Sequence, residues 1–447
     1  MNSLGQVADF AALIPTASIP SEVNARTSLI LADCIGAIVG GAAEPDVAAL
    51  VSRQAGYGTA LLVGTTQKRP PCTAALLNGT AGTTLEMDEG NQFCKGHPGI
   101  HTVPAALAAA SQLKIKGADL LAAIAIGYDV GARVGISTKL RPSMHPHGTW
   151  GAICAATAVA RLQRVSPNQM RHAISLSASF GLSTSRRTML EGGTVRNTFA
   201  GVAGQMGVLA GDMIAAGFTG DHNGVAQVFG NVVSDSFDAT SFSEGLGTRW
   251  EVSRNYFKMH SCCRYNHAAL DALAQLRLIV TELDYNMVED IVVETYSLAA
   301  ELDNRSPKNV LAAKFSVPFA VASALVNGST GVESFTLPNV VNPRIIALAQ
   351  RVTVVEDASM TALLPHKRPA KITLRLKSGE VLEAATETNR GDWSDPYSEA
   401  DVRNKYLSLT ERLWHKDAAL RVWDKIMALG SAISLDEVFT EMAQAPR

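Results

Sequence analysis

The chain has no surplus of basic residues. It carries 39 Lys and Arg against 41 Asp and Glu, a net charge of −2 over 447 residues. Phosphate backbones are held by excess cations, so nucleic acid is not an expected partner. Charged residues are scarce overall, at 18%, while 47% are apolar. That balance excludes a disordered or fibrous chain and points to a well-buried globular one. The opening MNSLGQVADFAALIPT has no positive segment before its apolar stretch, so no signal peptide is expected. A membrane span needs about 20 mostly apolar residues. The uncharged run Phe315–Val332 is broken by Pro318, Asn327, Gly328 and Ser329, so no membrane partner is expected. Cys34, Cys72, Cys94, Cys154, Cys262 and Cys263 form no CxxC pair, as suits free thiols in a reducing cytoplasm. GxGxxG after a strand, Walker A, HExxH and GxSxG motifs are all missing, which removes phosphate-cradling, zinc-protease and serine-hydrolase readings. Aromatics amount to only 6%. With so many Ala and Gly, this predicts helices packed closely through small residues.

The length suggests two or three domains at roughly 150 residues each. The pattern predicts a mainly α fold with two parts. A large all-helical domain covers 1–265 and 405–447, and a smaller α+β lid domain covers 266–404. Helical spacing marks a segment capped by Ser21-Glu22 and stopped by Gly40-Gly41, then Thr73–Met87, Val103–Ile115, Ala118–Val134, Gly151–Leu162, Pro167–Ser179 and Asn197–Ala216. Pro104 and Pro167 fit first-turn positions. Strand patterns appear at Val288–Thr295, Arg351–Val355, Ala370–Leu376 and Val381–Ala385, the last two joined by a hairpin at Ser378-Gly379-Glu380. Helices at Ala268–Ile279, Asn309–Val326 and Pro343–Ala349 lie between them. Helices return at Glu399–Leu413, Asp417–Leu429 and Leu435–Met442, which suggests that the tail rejoins the first domain.

Chemistry-bearing residues gather in four places. Glu86-Met87-Asp88-Glu89-Gly90 and His97-Pro98-Gly99-Ile100-His101 form an acidic loop with two imidazoles, feeding a helix N-terminus suited to a carboxylate ligand. His97 and His101 lack a third ligand at metal-binding spacing, so no metal is expected. Met144-His145-Pro146-His147 precedes a buried helix. His145 has the chemistry of a general acid or base, and His147 reads as a core histidine. Lys258 to His267 sits where the texture changes, a common place for a pocket. Lys258 and Arg264 supply fixed charge, and Tyr265 and His267 can move protons. Cys263 is a candidate nucleophile or an inert buried thiol, and Asn266 a candidate helix cap. Arg196 is suited to clamp a carboxylate or to form an ion pair. Imidazoles, cations and one acidic loop suit proton transfer at a carbon next to a carboxylate. Epimerisation, dehydration and decarboxylation all use that apparatus, and a non-catalytic helical binding protein is the remaining reading.

At these residues the chain resembles the MmgE/PrpD family. The likeness is carried by NGTAGTTLEMDEG at 78–90, HPGIHTVPAALAAA at 97–110, HPHGTWGAICAATAVARL at 145–162, VRNTFAGVAGQMGVLAGDMIAAGFTG at 195–220 and KMHSCCRYNHAALDAL at 258–273. The resemblance implies a helical domain with a smaller lid, a homodimer, no cofactor, and small di- or tricarboxylic acids as substrates. By position it implies roles for Asp88, His97, His145 and Lys258. Cys263 and Arg196 stand where decarboxylases of the family look to have His and Lys. Glu89-Gly90 and His147 are further departures, and the chain looks most like the iminodisuccinate epimerase branch, with a 2-methylcitrate-type hydro-lyase as the alternative. The expected acid/base pair is His145 and Lys258, with His97 and Tyr265 in reserve. Arg196 and Arg264 are expected to hold carboxylates, with Asp88, Cys263 and His267 around the substrate. Lys258 serves as a base only where burial or neighbouring positive charge, such as that of Arg264 and His260, depresses it. His97, His145 and Lys258 should lie within roughly 15 Å of one another.

Overall fold

Small residues let the helices of the amino-terminal half approach closely. Pro71–Thr84 lies against Phe199–Ala215, where a Cβ on Gly201 would come 2.1 Å from the Leu76 carbonyl oxygen. Gly131 of Gly117–Ser137 makes room for Cys154 of Gly151–Leu162, whose Sγ would sit 2.0 Å from an added Cβ. Backbones this close gain dense packing that larger side chains would prevent. The computed structural model describes residues 2–280 and 283–444. The chain is mainly α, with a smaller α+β part.

Buried apolar residues fall into two main clusters. One joins residues between Leu4 and Phe257 with others between Val402 and Met442. The second gathers residues between Cys262 and Leu374, together with Met189. Glu399–Thr410 and Lys416–Met427 pack on Ser21–Ala42, so the tail does return to the first core. Ser21–Ala42 and Gly117–Ser137 are long and apolar enough to cross a membrane. Their apolar windows are 78% and 94% buried inside the protein, so protein already covers that surface. The second part holds a four-stranded sheet in the order Val352–Glu356, Val288–Thr295, Ala370–Leu376, Val381–Thr386. The first pair is parallel and the others antiparallel. Gly379 turns the final hairpin with φ +89°, a conformation that favours glycine.

Several local expectations need correction. Helix Ser21–Ala42 begins after Pro20 without a side-chain cap and runs through Gly40-Gly41. Those glycines are contact residues: a Cβ on Gly41 would lie 1.9 Å from the Ala81 carbonyl oxygen. Pro104 is not in a first turn. The helix starts at Pro98 and runs to Ala110, with Pro104 inside it. Pro167 does open its helix, behind a Ser166–Gln169 capping box. The stretch 309–326 is two helices, Val310–Lys314 and Val317–Asn327. Ser316 divides them by accepting from the Phe319 N–H, a local bond that competes with a continuous helix. Asn266 makes no cap. Its side-chain amide donates to the Lys314 carbonyl instead.

Candidate active site

The acidic loop 86–97 is folded around buried charge. Glu86 adopts left-handed backbone, φ 56°, which is costly outside glycine and persists where surrounding contacts enforce it. Its carboxylate pairs with Arg196 and lies 3.4 Å from Lys258 Nζ. Lys258 is 3.7 Å from Asp88 Oδ1, and Asp88 Oδ2 is 3.0 Å from His97 Nδ1. Arg196, Glu86, Lys258 and Asp88 thus form an unbroken row of alternating charge that ends against the His97 ring. Burial alone would push the Asp88 carboxyl up, but His97 and Lys258 beside it hold it well below the usual range.

The surroundings of Lys258 differ from those expected. It faces two carboxylates rather than basic neighbours. Arg264 turns to Asp392, and His260 to Asp271 at 3.1 Å. Nor is the helix N-terminus at 98 open to an external carboxylate. The chain's own Glu89 caps it, accepting from the Gly99 N–H at 2.7 Å and from the Tyr128 hydroxyl at 3.1 Å. Burial raises that carboxyl to about 8.

His97, His101, His145 and His147 form one cluster. The His147 ring is 5.2 Å from His97, 4.6 Å from His101 and 5.9 Å from His145. Among the described residues no set of His, Cys, Asp or Glu is arranged to hold a metal ion. His101 joins the two histidine loops. Its Nδ1–H donates to the His97 carbonyl at 2.7 Å, and its Nε2 accepts the Gly148 N–H at 3.1 Å. Burial lowers it to about 4, which keeps that tautomer neutral. His147 is fully buried, and neither ring nitrogen has a hydrogen-bond partner among the described residues.

The two remaining imidazoles have opposite polarity. His97 Nδ1 lies 2.7 Å from the Glu89 carbonyl and 3.0 Å from the Asp88 carboxylate, both acceptors. A ring with a single proton therefore holds it on Nδ1 and leaves Nε2 as a bare lone pair. His145 Nδ1 instead accepts the His147 backbone N–H at 3.0 Å. Its single proton must be on Nε2. Burial and the neighbouring Arg196 push His145 well below its ordinary value, so it stays a neutral N–H donor.

Both rings line a cavity of about 50 Å³ at the meeting of the two cores. Arg196, Cys263, Arg264 and Tyr265 also line it, whereas Asp88, Lys258 and His267 do not. Asp88 and Lys258 stand behind Glu86 and His97. His267 accepts from Arg264 through Nδ1 and donates to the Cys262 carbonyl, so it steadies Arg264. Burial raises the Cys263 thiol to about 11, which keeps it protonated and removes the nucleophile reading. Burial likewise raises Tyr265. The structure therefore brings His97, His145 and Tyr265 to one wall-lined space, with Lys258 one layer back. Sequence reasoning did not single out Glu86, Arg186, Tyr256, Phe315 or Arg368, which line the same cavity. Glu86 lay within the quoted acidic loop. Arg368 sits in the run His366-Lys367-Arg368-Pro369, which reads as an ordinary solvated charge cluster.

The chain is 22% identical to cis-aconitate decarboxylase of Aspergillus terreus over 457 residues, covering 95% of this chain and 92% of that one. The cis-aconitate decarboxylase-like protein oryM of Aspergillus oryzae is 21% identical, with 98% and 96% covered. Mouse cis-aconitate decarboxylase is 23% identical over 378 residues, with 78% and 73% covered. The MmgE/PrpD N-terminal domain model matches residues 5–240, and the C-terminal domain model matches residues 260–429. The chain belongs to the MmgE/PrpD family.

Proposed function

We propose that this protein is an acid/base enzyme that moves a proton at the carbon next to a carboxylate of a small polycarboxylic acid, with iminodisuccinate epimerisation as the leading reaction. The opposite polarity of His97 and His145 around one cavity carries the proposal. His97 Nε2 takes the proton from the C–H bond, and the Asp88 carboxylate steadies the imidazolium that forms. The bond's electron pair moves onto the adjacent carboxylate, giving an enediolate. His145 Nε2–H donates a hydrogen bond to that developing charge. Lys258 serves as a fixed charge behind Asp88 and Glu86 rather than as the base. Tyr265, on the lid side, returns a proton to the other face.

Epimerisation is supported by Arg196 and Cys263, which stand where the family's decarboxylases look to have Lys and His. Lyase chemistry is the second reading, supported by the names of the relatives. A hydro-lyase shares the first half-reaction, its enediolate expelling a hydroxyl that leaves as water; a decarboxylase instead loses carbon dioxide first, the C–C bond pair stays on the substrate, and an acid of the site protonates the resulting carbanion. Incubation of the stereoisomers of iminodisuccinate in deuterated water separates these readings. An epimerase exchanges the α-hydrogen and mixes stereoisomers without net loss. A dehydratase makes an ultraviolet-absorbing alkene from a 2-methylcitrate-type acid, and a decarboxylase releases carbon dioxide from cis-aconitate. Absence of exchange and turnover across all three acids sinks the proposal in favour of a binding protein. A homodimer is part of the same reading, and sedimentation of a single species at twice the monomer mass is the expected result.

A further inference from the structure

Four arginines are buried among the described residues: Arg133, Arg196, Arg264 and Arg368. Three have a carboxylate of the chain's own. Arg133 pairs with Asp129 at 2.6 Å, Arg196 with Glu86, and Arg264 with Asp392. Arg368 does not. It is 3% exposed, yet among the described residues no carboxylate lies within 4.0 Å of it. Of its five N–H donors one is used by a neutral carbonyl, that of Gln92 at 3.2 Å, and Nε has no partner. A buried charge without a counter-ion is costly, and a fixed guanidinium fork matches a carboxylate.

The position of this guanidinium suits a ligand. Arg368 lines the same cavity as His97 and His145, and its Cζ lies 5.4 Å from the Tyr265 ring centre. Its loop is fastened across the cleft, since Gln92 Nε2 donates to the His366 carbonyl at 3.1 Å and the Phe93 ring meets that of His366. The cavity therefore has a charge-matched end, at Glu86 and Arg196, and an unmatched end on the lid side.

We infer that Arg368 is the anchor for a substrate carboxylate remote from the reacting carbon, so that the site selects anions with at least two carboxylates. Arg196 and Arg264 are already neutralised by Glu86 and Asp392 and serve to shape the wall. The inference rests on the proton-transfer reading of the cavity.

Succinate is the probe, as the simplest anion with two carboxylates, and its binding to the full chain is measured by titration calorimetry. The expected result for Arg368→Gln is a loss of affinity of about tenfold or more, with Arg368→Lys between it and the unaltered chain. Succinate should also raise the melting temperature of the unaltered chain and not that of Arg368→Gln. A merely structural arginine would lower the melting temperature of both variants and weaken succinate equally in both. That pattern, succinate affinity in Arg368→Gln within about twofold of the original, or no binding to the unaltered chain, overturns the inference. Succinate need not react, so the two proposals fail separately. Loss of binding in Arg368→Gln without deuterium exchange in any acid leaves the anchor standing and sinks the proton-transfer reading. Exchange with unchanged succinate binding sinks the anchor alone.

Discussion

His97 and His145 both lie against the His147 ring, and the groups at their Nδ1 atoms make them chemical opposites. In the loop 86–97, carbonyl and carboxylate acceptors surround His97 Nδ1 and draw the proton inward. In the loop 145–149, the chain turns so that the N–H of His147 points at His145 Nδ1 and keeps the proton outward. One imidazole presents a lone pair to the cavity and the other presents an N–H. The lesson is that residue type does not place the ring proton here. The nearest backbone group does, because a neutral imidazole has one donor and one acceptor.

Glutamine replacements test this contrast with the largest effects. A glutamine amide can present an N–H where Nε2 stood, but it cannot accept a proton at neutral pH. His97→Gln should lose about 10²-fold or more in α-deuterium exchange. His145→Gln should lose clearly less than His145→Ala, while His97→Gln and His97→Ala should be equally poor. Equal damage from His97→Gln and His145→Gln would break the comparison. Asp88→Asn comes next. It removes the charge that steadies the His97 imidazolium and should lower the exchange rate by about 10²-fold, with a smaller change in KM. Steady-state kinetics at several substrate concentrations checks it.

A smaller effect is expected from breaking the tie between the two loops. A Cβ on Gly151 would lie 2.0 Å from His101 Cδ2, so Gly151→Ala must displace the ring that joins the His97 carbonyl to the Gly148 N–H. Turnover should fall by roughly tenfold, as expected for misplaced catalytic groups. Unchanged turnover would show that His101 does not set the geometry of either loop.

The smallest effect concerns stability. Glu89 is raised to about 8 by burial, from an ordinary value near 4.5. Between those values the folded protein holds a proton that the unfolded chain has released, so stability falls as pH rises through this window. Glu89→Gln keeps an acceptor for the Gly99 N–H and lacks the titration. Its melting temperature relative to the original should therefore improve by a few degrees between about pH 5 and about pH 9. A relative melting temperature that stays constant, or falls on the alkaline side, contradicts the assignment.

Much of this fold was legible because its signals are local. The strands Val288–Thr295 and Ala370–Leu376, and the helix Gly151–Leu162, stand where their patterns placed them. The misplaced features depend on tertiary contact. Gly40-Gly41 resembles a helix stop until the carbonyl of Ala81 is seen against it. Pro104 resembles a first-turn residue because its sequence carries no sign of the helix already begun at Pro98. The same division holds for the site. His97, His145 and Tyr265 could be named because their side chains carry chemistry, and all three line the cavity. The order of roles could not, since it depends on the His147 N–H, the Glu89 carbonyl and the placement of Lys258 between two carboxylates. Arg368 gave no signal, because a cation amid Lys367 and Pro369 shows its missing counter-ion only once the chain is folded.

Neutron diffraction from crystals exchanged into heavy water, at mildly alkaline pD, tests the account most directly, because it locates the deuterons on both rings. The expected result is a deuteron on Nδ1 of His97 with Nε2 bare, and a deuteron on Nε2 of His145 with Nδ1 bare. A deuteron on Nδ1 of His145, or on Nε2 of His97 with its Nδ1 bare, would contradict it.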